Sequence, residues 1–200
     1  LMYRFTDNGD RRVALRYDQT VPLSRVVAQY QNELPMPFKR YQVQNVWRAE
    51  NTQKGRYREF LQCDIDTVGI DSAFADAEIV ATALQAYKKL GFKNFHVLIN
   101  DRKIFEGLST DAIIVIDKLK KIGEDGVCQE LVNKNLCGTL QEAKIVLQTL
   151  LDKQPTPRLA EILKLLAMMG IDESSIRFSP TLARGLDYYT GMIFEIETPD

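Results

Sequence analysis

Residues 60–69 alternate with the period of a strand. Phe60, Gln62, Asp64 and Asp66 share one face, and Leu61, Cys63, Ile65 and Thr67 share the other. Upstream, Tyr41-Gln-Val-Gln-Asn-Val-Trp47 has the aromatic and β-branched content of a second strand. Between them lie Asn51, Thr52, Gln53, Lys54 and Gly55, a turn-rich and basic connection. The pattern predicts an antiparallel hairpin whose strand ends carry Arg48, Glu50, Arg56 and Arg58. Leu61, Cys63 and Ile65 are expected to pack into a core, which leaves Gln62, Asp64 and Asp66 crowded on the opposite face. Two readings of that polar face stay open. One is a solvated sheet face. The other is a concave surface holding a polar ligand, with carboxylates and an amide as acceptors and guanidiniums gripping phosphates bidentately.

The rest of the chain follows from turn and cap signals. Met2–Phe5 and Val13–Tyr17 flank Asp7-Asn8-Gly9-Asp10, which predicts a first hairpin. Thr20 is placed to cap a helix with Pro22 in its first turn, and Leu23, Val26, Val27 and Tyr30 recur at helical spacing. Asp18 and Thr20 read either as caps or as a pair of acceptors at a strand end. Asp71 or Ser72 starts a helix that runs to Leu90, with Ile79, Val80, Ala83, Leu84 and Tyr87 as its apolar stripe and Gly91 as its stop. Phe95–Ile99 is a short buried strand. It contains His96, the one histidine, read as structural. Over 101–178 strand signals vanish. Helices are expected at 112–122, 126–135, 140–152 and 158–169, broken by Gly123, Gly138, Pro155 and Pro157. Lys118, Lys120 and Lys121 read as a solvated helix face. Strand character returns at Met192–Ile196. The layout is therefore 1–100, a helical insertion over 101–178, and a return segment over 179–200.

Composition narrows the class. The three cysteines, Cys63, Cys128 and Cys137, are far apart, which argues against a disulfide framework and against a zinc site, so no metal ligands are assigned. No run nears the roughly 20 apolar residues that span a bilayer. No membrane partner is expected, and the predicted home is the cytoplasm. A net charge of −1 leaves no global footprint for nucleic acid. The ends fall partway into strand-like runs, so the chain reads as a piece of a longer polypeptide.

Asp18, Thr20, Gln62 and Asp66 supply acceptors, and Arg48, Arg56 and Arg184 supply cations. Gathered in one pocket, they suit a ligand with a hydrogen-donating end and a polyphosphate end. Phe60 adds a ring for stacking a base or sugar edge. An amino acid with a nucleoside triphosphate meets both requirements. Neither G-x-x-x-x-G-K-[ST] nor G-x-G-x-x-G occurs, so side-chain arginines would hold the phosphates.

Three blocks then resemble one family. Trp47-Arg-Ala-Glu50 followed by Gln53-Lys-Gly-Arg-Tyr-Arg-Glu-Phe60 and Gln62-Cys-Asp64 is similar to motif 2 of class II aminoacyl-tRNA synthetases, in the form used by histidyl-tRNA synthetases. Leu182-Ala-Arg-Gly-Leu-Asp-Tyr-Tyr-Thr-Gly191 resembles the histidine-specific signature of that family, and Leu15-Arg-Tyr-Asp-Gln-Thr-Val-Pro22 its loop after the sheet hairpin. The blocks stand in family order and cover nearly the whole chain. The resemblance implies an α+β fold, a mainly antiparallel class II synthetase-like sheet flanked by helices, with a helical insertion. It implies a ligase that activates histidine with ATP and Mg²⁺ and passes it to tRNA(His), as a homodimer.

Position by position, Asp18, Thr20 and Gln62 resemble the group that holds the amino end of histidine. Asp66 and Tyr189, with Tyr188 beside it, resemble the residues that read the imidazole. Arg48 resembles the motif 2 arginine on the α-phosphate, Glu50 and Arg56 its ATP-binding partners, and Phe60 the ring beneath adenine. Arg184 resembles the family's catalytic arginine and also contacts histidine. Some members carry Glu where Asp18 and Asp66 stand here. Motif 1, motif 3 and the anticodon-binding domain would lie outside these residues, so the isolated piece is expected to bind ligands weakly or to catalyse nothing. The second reading is a histidine-sensing paralogue, the regulatory subunit of ATP phosphoribosyltransferase. That paralogue tends to lose the arginine in the position of Arg184 and parts of motif 2. A third is a basic hairpin that binds nucleic acid non-specifically.

Overall fold

The computed structural model describes residues 2–184 and 189–198. The chain divides into two compact units, Leu1–Asp71 and Ser72–Asp200.

The first unit opens with a short hairpin, β1 (Arg4–Thr6) and β2 (Arg12–Ala14), closed where the Asp7 carboxylate accepts the N–H groups of Gly9 and Arg11. Helix α1 (Thr20–Tyr30) follows. Its N-cap is Gln19, not Thr20, and Thr20 is an exposed first-turn residue. Asp18 supplies the capping oxygen instead, accepting from Val21 N at 3.4 Å. Leu23 is the only buried residue of α1, and Val26 and Tyr30 of its expected stripe are exposed.

The long hairpin is β3 (Phe38–Trp47) with β4 (Glu59–Val68). Its register sets Arg40 opposite Asp66, Gln44 opposite Gln62 and Val46 opposite Phe60, all on one face. The expected packing of its faces is reversed. Leu61 is 65% exposed and Cys63 is exposed, with Tyr41 and Val43 open beside them, while Gln62, Asp64 and Asp66 are half-buried. The cause is local. Segment 16–19 lies along the hairpin, with Trp47 N donating to Arg16 O at 2.8 Å and Gln19 Nε2 to Gln62 O at 2.9 Å. Beneath that cover the polar side chains pair with one another and with arginines, Gln62 with Asp64 and Arg48 and Asp66 with Arg40, while Gln19 Oε1 and Arg40 Nε have no hydrogen-bond partner among the described residues.

The second unit is a three-layer sandwich around the sheet order β6-β5-β7, formed by Ile176–Phe178, His96–Asp101 and Met192–Glu197. β5 pairs parallel with β6 and antiparallel with β7. Alternation sends Val97, Ile99, Phe194 and Ile196 into one core with α2 (Ala73–Lys89) and α6 (Pro157–Met168). It sends Leu98 and Ile193 into another with α3 (Thr110–Ile116), α4 (Leu119–Asn133) and α5 (Leu140–Leu151). The helices of 101–178 thus divide between the two sheet faces.

Several caps act as expected, notably Ser72 at α2 and Gly91 after it. Others differ. α3 stops earlier, at Ile116, although Gly123 does break the helical run as expected, its φ of 71° parting α4 into two helical stretches. Pro157 starts α6 rather than breaking it, because its missing N–H falls where none is needed. β6 falls where only helix was anticipated. Lys118 and Lys120 are ion-paired, to Glu130 at 2.5 Å and to Glu197. Over the seven strands of the described residues, three of the four pairings are antiparallel, and the pairings form three separate sheets. Among the described residues no helix is long and apolar enough to cross a membrane.

Candidate active site

In the first unit the polar face of the long hairpin gathers several predicted residues. Arg48, just past β3, is held on four sides. Its Nη2 donates to Gln62 Oε1 at 3.0 Å and its Nε to Tyr17 O at 3.3 Å. Its guanidinium carbon lies 4.9 Å from the Tyr17 ring centre and 5.1 Å from that of Phe60. A cation between two ring faces is attracted to both, so the planar guanidinium is fixed before any ligand arrives. Gln62 links onward, its amide donating to Asp64 at 2.9 Å.

Asp66 meets Arg40, Nη2 to Oδ2 at 2.9 Å, and not one of the predicted cations. Burial pushes its carboxyl above the ordinary range, Arg40 pulls it back and Asp64 pushes it up again. Arg40 also donates to Gln19 O at 3.3 Å and hydrogen-bonds Gln42. The sequence reading misses Arg40 because it starts the strand at Tyr41, three residues after its observed start at Phe38. The register itself was the available signal, since an arginine directly opposite an aspartate is a cross-strand ion pair. Gln19, fully buried, and Tyr17 carry no role in the sequence reading either, which takes Tyr17 as the end of a strand and Gln19 as part of the loop after it.

The remaining predicted residues of this unit are Asp18, Thr20, Glu50 and Arg56. Asp18 is half-buried at the start of α1, and Thr20 beside it is exposed. Glu50 lies past β3, where its carbonyl accepts from Arg58 Nε at 3.2 Å. Arg56 is exposed in the hairpin loop, its backbone bridged to Gln53.

Arg184 and Tyr189 belong to the second unit. Arg184 is exposed, and its Nη1 meets Glu195 Oε1 at 2.9 Å. Tyr189 is half-buried against the core that holds Leu98 and Ile193. Tyr188 lies outside the described residues. The three cysteines are free, and the described residues hold no group of three His, Cys, Asp or Glu side chains suited to a metal. His96 is tied to Glu197 at 3.0 Å across β5 and β7.

Chemically, the arrangement in the first unit offers a fixed cation beside an amide and, further along the same face, a carboxyl whose pKa burial raises. A family model described as histidyl-tRNA synthetase matches residues 1–200. A histidine–tRNA ligase of Treponema denticola is 42% identical over 97% of this chain and 50% of its own length. That of Helicobacter pylori strain G27 is 39% identical over 100% and 52%. Among solved structures, histidyl-tRNA synthetase from Nostoc sp. PCC 7120 superposes with a TM-score of 0.83 at 26% identity, over 99% of this chain and 52% of that one. A Bacillus halodurans C protein described as an ATP phosphoribosyltransferase regulatory subunit/histidyl-tRNA synthetase gives 0.78 at 22% identity, over 98% and 57%, a likeness of fold alone. The chain spans about half the length of the curated relatives it matches. With a family model running over every residue and relatives near 40% identity along almost all of the chain, it belongs to the histidyl-tRNA synthetase family.

Proposed function

We propose that the chain carries the histidine-activating part of a class II histidine–tRNA ligase. A carboxylate oxygen of histidine attacks the α-phosphorus of ATP, the bond to pyrophosphate breaks, and histidyl-adenylate forms. The histidyl group then passes to the 3′ end of tRNA(His). Mg²⁺ enters with the triphosphate as part of the substrate. The observation that carries this reading is the match to histidine–tRNA ligases at about 40% identity along nearly the whole chain.

In this proposal Arg48 and Arg184 stabilise charge on the α-phosphate. Glu50, Arg56 and Phe60 hold the rest of ATP. Asp18, Thr20 and Gln62 hold the amino end of histidine, and Asp66 with Tyr188 and Tyr189 reads the ring. The fixed guanidinium of Arg48 suits such work, since charge stabilisation is strongest where donors need not reorganise. A site of this kind rejects other amino acids because a wrong side chain leaves buried polar groups unpaired. The catalytic core is read as 1–100 with 179–200, the insertion as 101–178, and the whole protein as a cytoplasmic homodimer.

The test is histidine-dependent exchange of pyrophosphate into ATP by the full-length protein. Arg184→Ala is expected to raise the barrier by about 3 kcal/mol, the cost of losing one preorganised donor. Exchange at the parent rate in that variant defeats the role. Absence of exchange in the parent, with histidine binding retained, favours the regulatory paralogue.

A further inference from the structure

Segment 179–184, after β6, is gripped by the sheet from one side. Asn100, on β5 and fully buried, donates through Nδ2 to Leu182 O at 2.9 Å and to Pro180 O at 3.2 Å. Arg102 Nη1 donates to Arg184 O at 3.3 Å. Leu182 and Ala183 are buried in the core beneath the loop. Ser179 N donates to Ile99 O at 3.0 Å, so the loop is tied at both ends. These contacts fix the backbone at Arg184. They leave its long side chain with the torsional freedom of any exposed arginine.

Two carboxylates act on it: Asp117, which accepts from the Ala183 backbone and attracts the Arg184 charge, and Glu195, which meets the guanidinium directly and restricts it. On β7, Ile193 lies opposite Asn100 and Glu195 opposite Leu98, so Asn100, Ile193 and Glu195 share one sheet face. The residue that buries the strand and the residue that meets the guanidinium are thus two positions apart. Glu195 Oε1 takes Arg184 Nη1 at 2.9 Å, and the two side chains are 36% and 49% exposed. An ion pair this open adds little to folding stability. It does set where the charge sits. The contact uses a single nitrogen, and the guanidinium has further N–H donors to offer an anion.

The geometry points to Glu195 as a positioning residue that aims Arg184 at the reacting phosphate, a role that rests on the function proposed for Arg184 above. Glu195 itself touches no substrate in this account. Its removal leaves the cation present but unaimed, so the loss falls on turnover more than on substrate affinity.

The experiment is a kinetic double-mutant cycle in the full-length protein, read by histidine-dependent pyrophosphate exchange. Glu195→Gln is expected to lower kcat on the order of tenfold to a hundredfold, as a misplaced catalytic group does. KM for ATP should stay near its parent value, and so should the thermal midpoint. In an Arg184→Ala background Glu195→Gln should change nothing further. Glu195→Asp, run through the same cycle, keeps the charge on a shorter arm. It is expected to fall between Gln and parent, and it replaces Gln if that variant does not fold. An equal fold-loss in both backgrounds overturns the positioning role while leaving Arg184's own role intact. An unimpaired Arg184→Ala variant overturns both.

Discussion

Asp66 and Arg40 face each other across the long hairpin, and their balance decides the charge on its polar face. Burial outweighs the arginine, so the carboxyl of Asp66 lies above the ordinary range. The native state therefore holds this proton more tightly than the unfolded chain. The matching stability is complete below the unfolded carboxylate value and is lost as pH rises through the raised folded value. Arg40→Met should push Asp66 higher still and carry that loss to higher pH, whereas Asp64→Asn should bring it down. A ¹³C NMR titration of the labelled Asp66 carboxyl reads both, and a downward shift in Arg40→Met would contradict the pairing. Residue identities on this face were legible because a period of two sorts them without a structure. Their partners were not. The exposure of Leu61 and the cover over Gln62 depend on a segment more than 40 positions away, Gln19 reaching Gln62 O, which no local pattern encodes.

Element ends were legible where one side chain caps one helix and blurred where a residue serves two elements. Thr139 closes α5 through a reciprocal capping box with Glu142, all of it within four residues of sequence. Thr156 does more. Its hydroxyl accepts Leu159 N at 3.2 Å to start α6 and donates to Asp101 Oδ2 at 2.6 Å, at the end of β5. Asp101 is almost fully buried and also caps the 3-10 turn at Arg102–Phe105 through Lys103 N. Thr156→Ala should thus lose a cap, about 1 kcal/mol, and leave a buried carboxylate short of a donor, about 1–3 kcal/mol more. Thr139→Ala should cost only about 1 kcal/mol. Thr156→Ser should recover most of the loss. Urea unfolding of the three variants gives the comparison, and equal costs for the two alanine variants would show that the link to Asp101 carries no energy. Reading Pro157 as a breaker missed this design, because the proline sits one residue inside the cap it helps to set.

At the scale of the second unit, one narrow sheet serves two cores. α3–α5 rest on Leu98 and Ile193, α2 and α6 on Val97, Ile99, Phe194 and Ile196, and Phe178 packs against both. A three-stranded sheet has no independent stability to spare unless both faces are covered. The two helical layers should therefore open together and not as separate foldons. Leu131 in α4 and Leu166 in α6 are both fully buried, one in each core. Truncating either to alanine should cost about 2–5 kcal/mol. If the sheet couples the layers, Leu131→Ala lowers hydrogen-exchange protection not only in α4 and α5 but also in α2 and α6, and Leu166→Ala does the converse. The measurement suits the full-length protein, since exchange is read peptide by peptide. Loss of protection confined to the layer that carries the substitution would mean that the helices of 101–178 unfold without the sheet. The Asn100 and Glu195 contacts that hold the Arg184 loop belong to β5 and β7, so the same result also tells whether that loop depends on the helices packed beneath it.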